Sequence, residues 1–201
     1  MCGADRSTAF ATSSGSITLC SFGALGLATL AVAGFFRDPE RRIASGEGLV
    51  VAPADGKVVN VAQISGDSRF GDAATRMSIF LSPLDVHINR SPVGGRVDEV
   101  EYKPGKFIAA YKDEASEQNE QNALKIVDEN QRTFGMVQIA GVVARRIVCR
   151  VKAGDVLRRG DRFGMIMFGS RTDLYLPRGC RLEIREGQRV KGGETIVGRF
   201  V

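Results

Sequence analysis

A Gly-Ser dipeptide in the C-terminal part of the chain has the residue types that a self-cleaving peptide bond requires. Gly169 and Ser170 lie between two strand-like runs, residues 162–168 and residues 172–176. In an intramolecular N→O acyl shift, a serine hydroxyl attacks the carbonyl carbon of the preceding residue. Glycine in that position leaves the carbonyl unshielded and accepts unusual backbone angles. Gly-Ser is also an ordinary turn dipeptide, so the residues alone leave both a cleavage site and a simple turn open.

Two further residues could move a proton or hold a charge. His87 is the only histidine of the chain, and histidine is the side chain suited to proton transfer near neutral pH. Asp55 occurs in a Pro-Ala-Asp-Gly run, where a carboxylate that caps its own turn is the simpler interpretation. A single histidine excludes every metal site that needs two, and the four cysteines form no CxxC pair. We therefore expect no metal.

The composition is that of a folded globular protein. The chain has 201 residues, of which 43% are hydrophobic and 25% are charged, which excludes a disordered, collagen-like or polytopic membrane protein. The formal net charge is +5. A surplus of this size suits an anionic membrane or an acidic substrate, but it does not by itself indicate a nucleic-acid binder, and we expect no nucleic-acid partner.

The N-terminal segment, residues 1–36, is uncharged over most of its length. Residues 7–36 contain no Asp, Glu, Lys or Arg, and the last twenty are rich in Leu, Ala, Gly, Val and Phe, enough to cross a bilayer as a helix. One arginine precedes the run, and three follow it at positions 37, 41 and 42. By the positive-inside rule, this predicts a membrane-associated helix, with the rest of the chain on the cytoplasmic side of the cell membrane. A buried apolar helix is the alternative.

The rest of the chain has the pattern of a mainly β protein. Short β-branched or alternating runs are separated by Gly, Pro and Asp, and many short strands indicate a barrel or sandwich. The acidic segment 109–122 predicts a loop or a short surface helix. The predicted strands are residues 48–52, 57–64, 76–81, 95–102, 134–140, 142–151, 162–168, 172–176 and 181–184.

A weak internal repeat supports this fold class. Residues 151–161 and 184–194 share the pattern apolar-x-x-Gly-x-x-apolar-x-x-Gly-acidic. Turns spaced by glycine in this way resemble the hammerhead hairpins of biotinyl and lipoyl domains, and residues 51–58 have a similar character. A swinging-arm carrier would display a lysine at a hairpin tip, but no lysine lies between Lys152 and Lys191.

Five stretches, taken together and in order, resemble the short, archaeal-like phosphatidylserine decarboxylases. They are spread over nearly all of the chain after residue 35. The stretches are residues 35–41, 51–57, 78–92, 138–146 and 167–171.

The resemblance implies a self-processing enzyme that converts phosphatidylserine to phosphatidylethanolamine and CO2 in phospholipid biosynthesis. The precursor would cleave between Gly169 and Ser170. The products would be a β chain, residues 1–169, whose residues 37–169 form its catalytic part, and an α chain, residues 170–201, together a heterodimer. Ser170 would become a covalent pyruvoyl group, which acts as an electron sink. No metal and no pyridoxal phosphate would then be needed.

The same resemblance assigns roles to individual residues. Asp55 matches the family aspartate of the self-cleavage relay, and His87 matches the family histidine. Long bacterial relatives carry a second histidine where this chain has Arg90. Because a guanidinium forks onto oxyanions, Arg90, Arg145 and Arg146 are candidate ligands for the phosphate or carboxylate of the substrate.

Two other functions remain open at the level of sequence. One is a pyruvoyl decarboxylase of a soluble amino acid, although the uncharged N-terminal run argues against it because a soluble substrate needs no anchor. The other is a non-catalytic, membrane-tethered, lipoyl-like barrel in which Gly169 and Ser170 form only a turn.

Overall fold

The chain divides into two compact units, Met1–Arg37 and Asp38–Val201. The first unit contains the helix α1 (Ala9–Phe35), along which large apolar side chains such as Phe22 and Leu30 are exposed. The computed structural model describes residues 9–64, 69–110, 115–142, 146–167 and 169–200.

The helix α1 is the segment that the sequence predicted to associate with a membrane. Ser, Thr and Gly recur along it, and the hydroxyl of Thr29 donates a hydrogen bond to the carbonyl of Leu25 (2.9 Å). Among the described residues, no helix combines the length and hydropathy needed to cross a bilayer. The sequence therefore predicted the helix correctly, but its description as an apolar membrane helix is not supported.

The second unit is built almost entirely from β-strands, which confirms the prediction of a mainly β fold. Its described residues form fourteen strands and one short helix, α2 (Ala115–Gln118). The strands are β1 (Leu49–Val51), β2 (Gly56–Gln63), β3 (Ala73–Leu81), β4 (Ile88–Arg90), β5 (Gly95–Lys103), β6 (Gln121–Val127), β7 (Thr133–Ile139), β8 (Ile147–Cys149), β9 (Val156–Leu157), β10 (Arg162–Ile166), β11 (Ser170–Pro177), β12 (Arg181–Leu182), β13 (Arg189–Val190) and β14 (Ile196–Arg199).

Three antiparallel sheets enclose the main core. The largest has the strand order β13-β2-β3-β11-β7-β6-β5-β9, and the two smaller sheets are β1-β14-β12 and β4-β10-β8. All three contribute fully buried side chains to one cluster, for example Met77 and Leu174 from the large sheet, Val197 from the second and Phe163 from the third. Strand β11 lies between β3 and β7 near the middle of the large sheet.

The repeat found in the sequence is also a repeat in the structure. Gly154 and Gly187 occupy equivalent positions and have φ values of 95° and 85°, in the left-handed region that favours glycine. Their N–H groups donate to the carbonyls of Val97 and Val58, each at 2.8 Å. Each copy thus makes the same turn against its own strand of the large sheet.

The repeat extends to the strands around these two turns, so the unit contains two larger copies. In the chain, these larger copies are nested rather than consecutive. From the two edges of the large sheet inward, β13 corresponds to β9, β2 to β5, β3 to β6 and β11 to β7. The strands β4 to β10 of one copy are inserted between β3 and β11 of the other. This insertion brings β10 directly before β11 in the chain and so creates the turn that contains Gly169 and Ser170.

Candidate active site

Gly169 and Ser170 form the turn between β10 and β11. Gly169 has a φ of 64°, and a Cβ added there would meet nothing within 4 Å, so glycine is favoured by conformation and not by lack of space. Ser170 is fully buried, and its Oγ has no hydrogen-bond partner among the described residues. Since buried hydroxyls are normally hydrogen-bonded, this oxygen is unusual, and it is the atom that an acyl shift would use.

Several candidate residues meet at one end of the large sheet, which we name the Ser170 end. Here β3 and β7 end at Leu81 and Ile139, while β2 and β11 begin at Gly56 and Ser170. Ser170 lies opposite Leu81, and the next residue of β11 lies opposite Ile139. Residues that follow Leu81 or Ile139, or that precede Gly56, therefore lie at the same end of the sheet as the Gly169–Ser170 bond.

His87 lies beside this turn. It directly precedes β4 and is fully buried, and its carbonyl accepts a hydrogen bond from the N–H of Ile166 (3.3 Å), the last residue of β10. The Nδ1 atom of His87 lies 2.8 Å from the carbonyl oxygen of Asp85. Because a carbonyl oxygen only accepts, this contact assigns the proton of the neutral ring to Nδ1 and leaves Nε2 as the basic nitrogen.

The turn before His87 is fixed by the side chain of Asp85. Its carboxylate accepts hydrogen bonds from the N–H (2.9 Å) and the hydroxyl (2.7 Å) of Ser82. Arg189, on β13, forms an ion pair with the same carboxylate. Arg189 and Ser82 together hold the backbone segment whose carbonyl orients the histidine ring.

A chain of buried polar side chains connects β4 to β11. Asn89 donates to the hydroxyl of Thr172 (3.0 Å) and accepts from Gln138 (2.9 Å), and Asn122 donates to Gln138 (3.1 Å). All four are buried, and buried polar groups are tolerated when paired in this way. The network ties the strand that follows His87 to the strand that begins at Ser170, and it was not predicted from the sequence.

The opposite face of β11 carries a buried ion pair. Arg171 and Asp173 are both fully buried, with Nε and Oδ1 2.6 Å apart. Arg171 also donates to the hydroxyl of Ser78 on β3 (2.6 Å), and Ser116 on α2 donates to Asp173 (2.8 Å). The available signal in the sequence was a pair of opposite charges two residues apart at the start of a strand-like run, but no role was predicted for either residue.

Asp55 lies at the Ser170 end, directly before β2. Two strand spacings, about 10 Å, separate the start of β2 from Ser170. The carboxylate accepts hydrogen bonds from Arg41 (2.7 Å) and from the N–H of Gly192 (2.8 Å). Among the described residues its ion-pair partner is thus Arg41, whose own side chain is only 8% exposed.

Arg90 is bound within the protein. Its guanidinium donates to the carbonyls of Gly160 (3.1 Å) and Pro39 (3.1 Å) and to the carboxylate of Asp38 (3.2 Å). Burial, followed by the nearby positive charge of Arg162, lowers the pKa of Arg90 from its usual value. These contacts favour a structural role over substrate binding.

Of the other two candidate arginines, only Arg146 can be placed. It is exposed, and its carbonyl accepts a hydrogen bond from the N–H of Met167 (3.1 Å), so it lies beside the β10–β11 turn. Arg145 lies outside the described residues. The structure therefore brings Arg146 and His87 to the turn that contains Ser170, with Asp55 at the same end of the sheet and Arg90 turned towards the segment 38–39.

Two other places in the described residues could accept a ligand. A groove of about 600 Å³ lies at the other end of the large sheet and is lined by residues such as Val127, Arg132 and Phe200. A smaller one, about 380 Å³, lies beside Arg41 and Arg90. No group of three or more His, Cys, Asp or Glu in the described part of the chain could hold a metal ion.

Comparison with known proteins decides the family. The model of the phosphatidylserine decarboxylase family matches residues 28–198 of this chain. The chain belongs to the phosphatidylserine decarboxylase family. The predicted family resemblance is therefore confirmed.

Individual relatives in the phosphatidylserine decarboxylase family cover most of the chain. A phosphatidylserine decarboxylase proenzyme of Granulibacter bethesdensis is 52% identical over 166 residues, which cover 81% of this chain and 68% of that protein. A proenzyme of the same name from Syntrophus aciditrophicus is 43% identical over 173 residues (86% and 81%). Another from Zymomonas mobilis is 47% identical over 183 residues (88% and 74%).

Proposed function

We propose that this chain is the precursor of a phosphatidylserine decarboxylase that activates itself by cleaving the Gly169–Ser170 bond. The observation that carries the proposal is the buried Ser170 hydroxyl, which has no partner among the described residues and directly follows a glycine in the left-handed region. The relatives are named as decarboxylases of phosphatidylserine and as proenzymes, which supports both the substrate and the processing.

Self-cleavage uses atoms of the chain alone until its last step. The Oγ of Ser170 attacks the carbonyl carbon of Gly169, the C–N bond breaks, and an ester replaces the peptide bond. Loss of the α-proton of Ser170 then breaks its Cβ–Oγ bond, which releases Gly169 as a carboxylate that keeps Oγ and leaves a dehydroalanine at the new N-terminus. The amino group of this residue tautomerises to an imine, and water hydrolyses the imine, so that ammonia leaves and the ketone of the pyruvoyl group forms.

The residues around Ser170 suit such a group. The first residue of β11 is held between β3 and β7, and the buried side chains of Arg171 and Thr172 fix the strand on both faces. When present, the pyruvoyl group supplies an electron sink for decarboxylation. His87 supplies the proton chemistry in this proposal: Asp85 fixes its Nδ1–H, and its Nε2 gives or takes a proton beside the turn.

Asp55 has a supporting part in self-cleavage in this proposal. Its position at the Ser170 end agrees with the relay role that the family resemblance implies. Its contacts with Arg41 and Gly192 make it a positioning residue, which fixes the start of β2 at the same end of the sheet as the cleaving turn.

Arg146 is the better of the two described candidate arginines for binding the substrate phosphate. It is exposed beside the turn that contains Ser170, whereas Arg90 is bound within the protein.

The two products remain associated in this proposal. β11 pairs with β3 on one side and with β7 on the other, and β13 and β14 pair with β2 and β1. The α chain, residues 170–201, would leave only by breaking all of these pairings. A heterodimer of the β and α chains is therefore the expected mature enzyme.

The enzyme acts at an anionic membrane in this proposal, on its cytoplasmic side. The substrate class is a phospholipid, the chain carries a net charge of +5, and apolar side chains are exposed along α1. Arg37 and Arg42, both exposed, add positive charge that the anionic lipids of a cytoplasmic leaflet attract, whereas Arg41 is bound to Asp55.

Mass spectrometry of the purified protein tests the proposal directly. A processed chain gives a small fragment of about 3.5 kDa, at roughly 110 Da per residue for residues 170–201, with an N-terminus blocked to Edman chemistry. One intact chain would instead favour the non-catalytic barrel. Release of CO2 from phosphatidylserine but not from free amino acids separates the proposed enzyme from a decarboxylase of soluble substrates.

A further inference from the structure

The turn before His87 presents an apolar tip to solvent. Pro83 is exposed and Leu84 is 84% exposed, while Val86 and His87, directly behind the tip, are buried. Asp85 closes the turn by accepting two hydrogen bonds from Ser82. A single exposed leucine is ordinary, but this one is held on a rigid turn next to the proposed catalytic histidine.

A second exposed apolar residue projects from the same end of the sheet. Val142, 48% exposed, follows Ile139 at the end of β7, just as Leu84 follows Leu81 at the end of β3. Strand β11, which begins at Ser170, lies between these two strands. Leu84 and Val142 thus extend from the strands on either side of Ser170, which are about 10 Å apart.

Exposed basic residues surround these apolar side chains. Lys57 at the start of β2 and Arg189 on β13 lie opposite each other, and Arg146 lies beside the β10–β11 turn. All three are exposed. Of the acidic residues at this end, Asp85 is paired with Arg189 and Asp55 with Arg41, so Lys57 and Arg146 add positive charge beside the apolar tip.

We propose that the Ser170 end of the sheet is a docking surface for an anionic phospholipid bilayer, with Pro83, Leu84 and Val142 entering the interface. The proposal rests on the proposed function and adds to it the route of the substrate. Ser170 is fully buried, so a lipid head group must enter at this end of the sheet while its acyl chains remain in the bilayer. Apolar residues flanked by Lys and Arg are the combination that binds an anionic interface.

The absence of tryptophan from the chain allows a position-specific test in the full-length protein. We would prepare Leu84→Trp and mix it with vesicles of phosphatidylglycerol and phosphatidylcholine whose acyl chains are brominated. These vesicles contain no substrate, so a signal reports docking and not turnover. Because interfacial apolar groups lie roughly 5–10 Å deep, we expect a blue shift and at least about twofold quenching by bromine.

Val156→Trp is the matched control. Val156 is 76% exposed and pairs with Arg96 at the other end of the large sheet. Both variants retain α1, so binding through that helix is the same in each. Val156→Trp should show neither shift nor quenching. Equal signals from the two variants, or none from Leu84→Trp on vesicles that bind the protein, would overturn the docking surface and leave the proposed function intact.

A second variant connects the surface to turnover. Leu84→Gln should lower the rate on phosphatidylserine vesicles by about tenfold, the effect of losing one buried aliphatic side chain, relative to the rate on dispersed short-chain phosphatidylserine. An unchanged ratio of the two rates contradicts the proposal. If Leu84→Trp is quenched but the parent protein decarboxylates neither substrate, the proposed function fails and the docking surface stands.

Discussion

The carbonyl oxygen of Asp85 lies 2.8 Å from Nδ1 of His87 and so fixes which nitrogen of the ring carries the proton. The side chain of Asp85 is held in turn by Arg189. Arg189 belongs to the part of the chain that follows Ser170, whereas His87 and Asp85 precede it. After the proposed cleavage, the small α chain would therefore help to orient a histidine of the large β chain.

His87→Ala should lower decarboxylation by roughly 10²- to 10⁴-fold, the usual contribution of a general acid–base group. His87→Asn is the matched variant, because an amide N–H can still donate to the carbonyl of Asp85 but cannot exchange a proton. The measurement is turnover per pyruvoyl group, made only after the cleaved α chain has been detected. Near-normal turnover in cleaved His87→Asn would leave His87 with a structural role.

An uncleaved His87→Ala chain has a different meaning. His87 would then be needed for maturation, in place of the second family histidine that Arg90 replaces in this chain. Comparison with His87→Asn then separates two causes: cleavage of His87→Asn would assign maturation to the hydrogen bond with Asp85, whereas an uncleaved His87→Asn chain would assign it to proton transfer by the ring.

Ser170→Ala should give one full-length, folded and inactive chain. The nucleophile is lost, but alanine fits the extended conformation at the start of β11, and Gly169 keeps its left-handed turn. Gel electrophoresis and intact mass show whether the small fragment is absent. Ser170→Cys is the control, since a thiol can make the same shift and should cleave with little pyruvoyl formation. Two fragments from Ser170→Ala would exclude the acyl shift at this bond.

Much of the fold could be predicted because its longer strands alternate or are rich in β-branched residues. Every predicted strand overlaps an observed one. Strand β6 was missed because it begins with Gln121 and Asn122, which have the composition of a loop. Their polarity is compatible with burial only because neighbouring strands pair it, as Gln138 does for Asn122. β9 and β13, of two residues each, are too short to show any alternation.

The candidate site likewise contains some residues that could be predicted from the sequence and some contacts that could not. Ser170 could be selected from residue type and local motif, and His87 and Asp55 were assigned by the family resemblance. The orienting contacts of Asp85 and Arg189 could not, because 104 positions separate the two residues and only the pairing of β13 with β2 brings them together. Arg90 was selected for its charge, but charge alone does not say whether a guanidinium faces a substrate or, as here, Asp38.

Cys180 should react slowly with iodoacetamide in the native protein. Burial raises the pKa of its thiol to about 11, so roughly one molecule in a thousand carries the reactive thiolate at pH 8. Its rate should rise about tenfold per pH unit up to that pKa. The free energy of unfolding should also decrease as the pH rises from the pKa of the unfolded thiol to about 11, because the folded state holds the thiol proton more tightly than the unfolded chain does. Peptide mapping of alkylated protein measures the rate, with urea-denatured protein as the control.

Asp173→Asn should destabilise the protein by about 3–5 kcal/mol, because it leaves the fully buried guanidinium of Arg171 without its counter-charge. Urea unfolding in the Ser170→Ala background provides the measurement, since an uncleaved chain unfolds as one molecule. The double variant Arg171→Met, Asp173→Leu removes both charges and should lose clearly less stability than the single variants Arg171→Met and Asp173→Leu added together. If Asp173→Asn unfolds within about 0.5 kcal/mol of the parent, or if the double variant shows simple additivity, then this ion pair does not hold the strand that begins at Ser170.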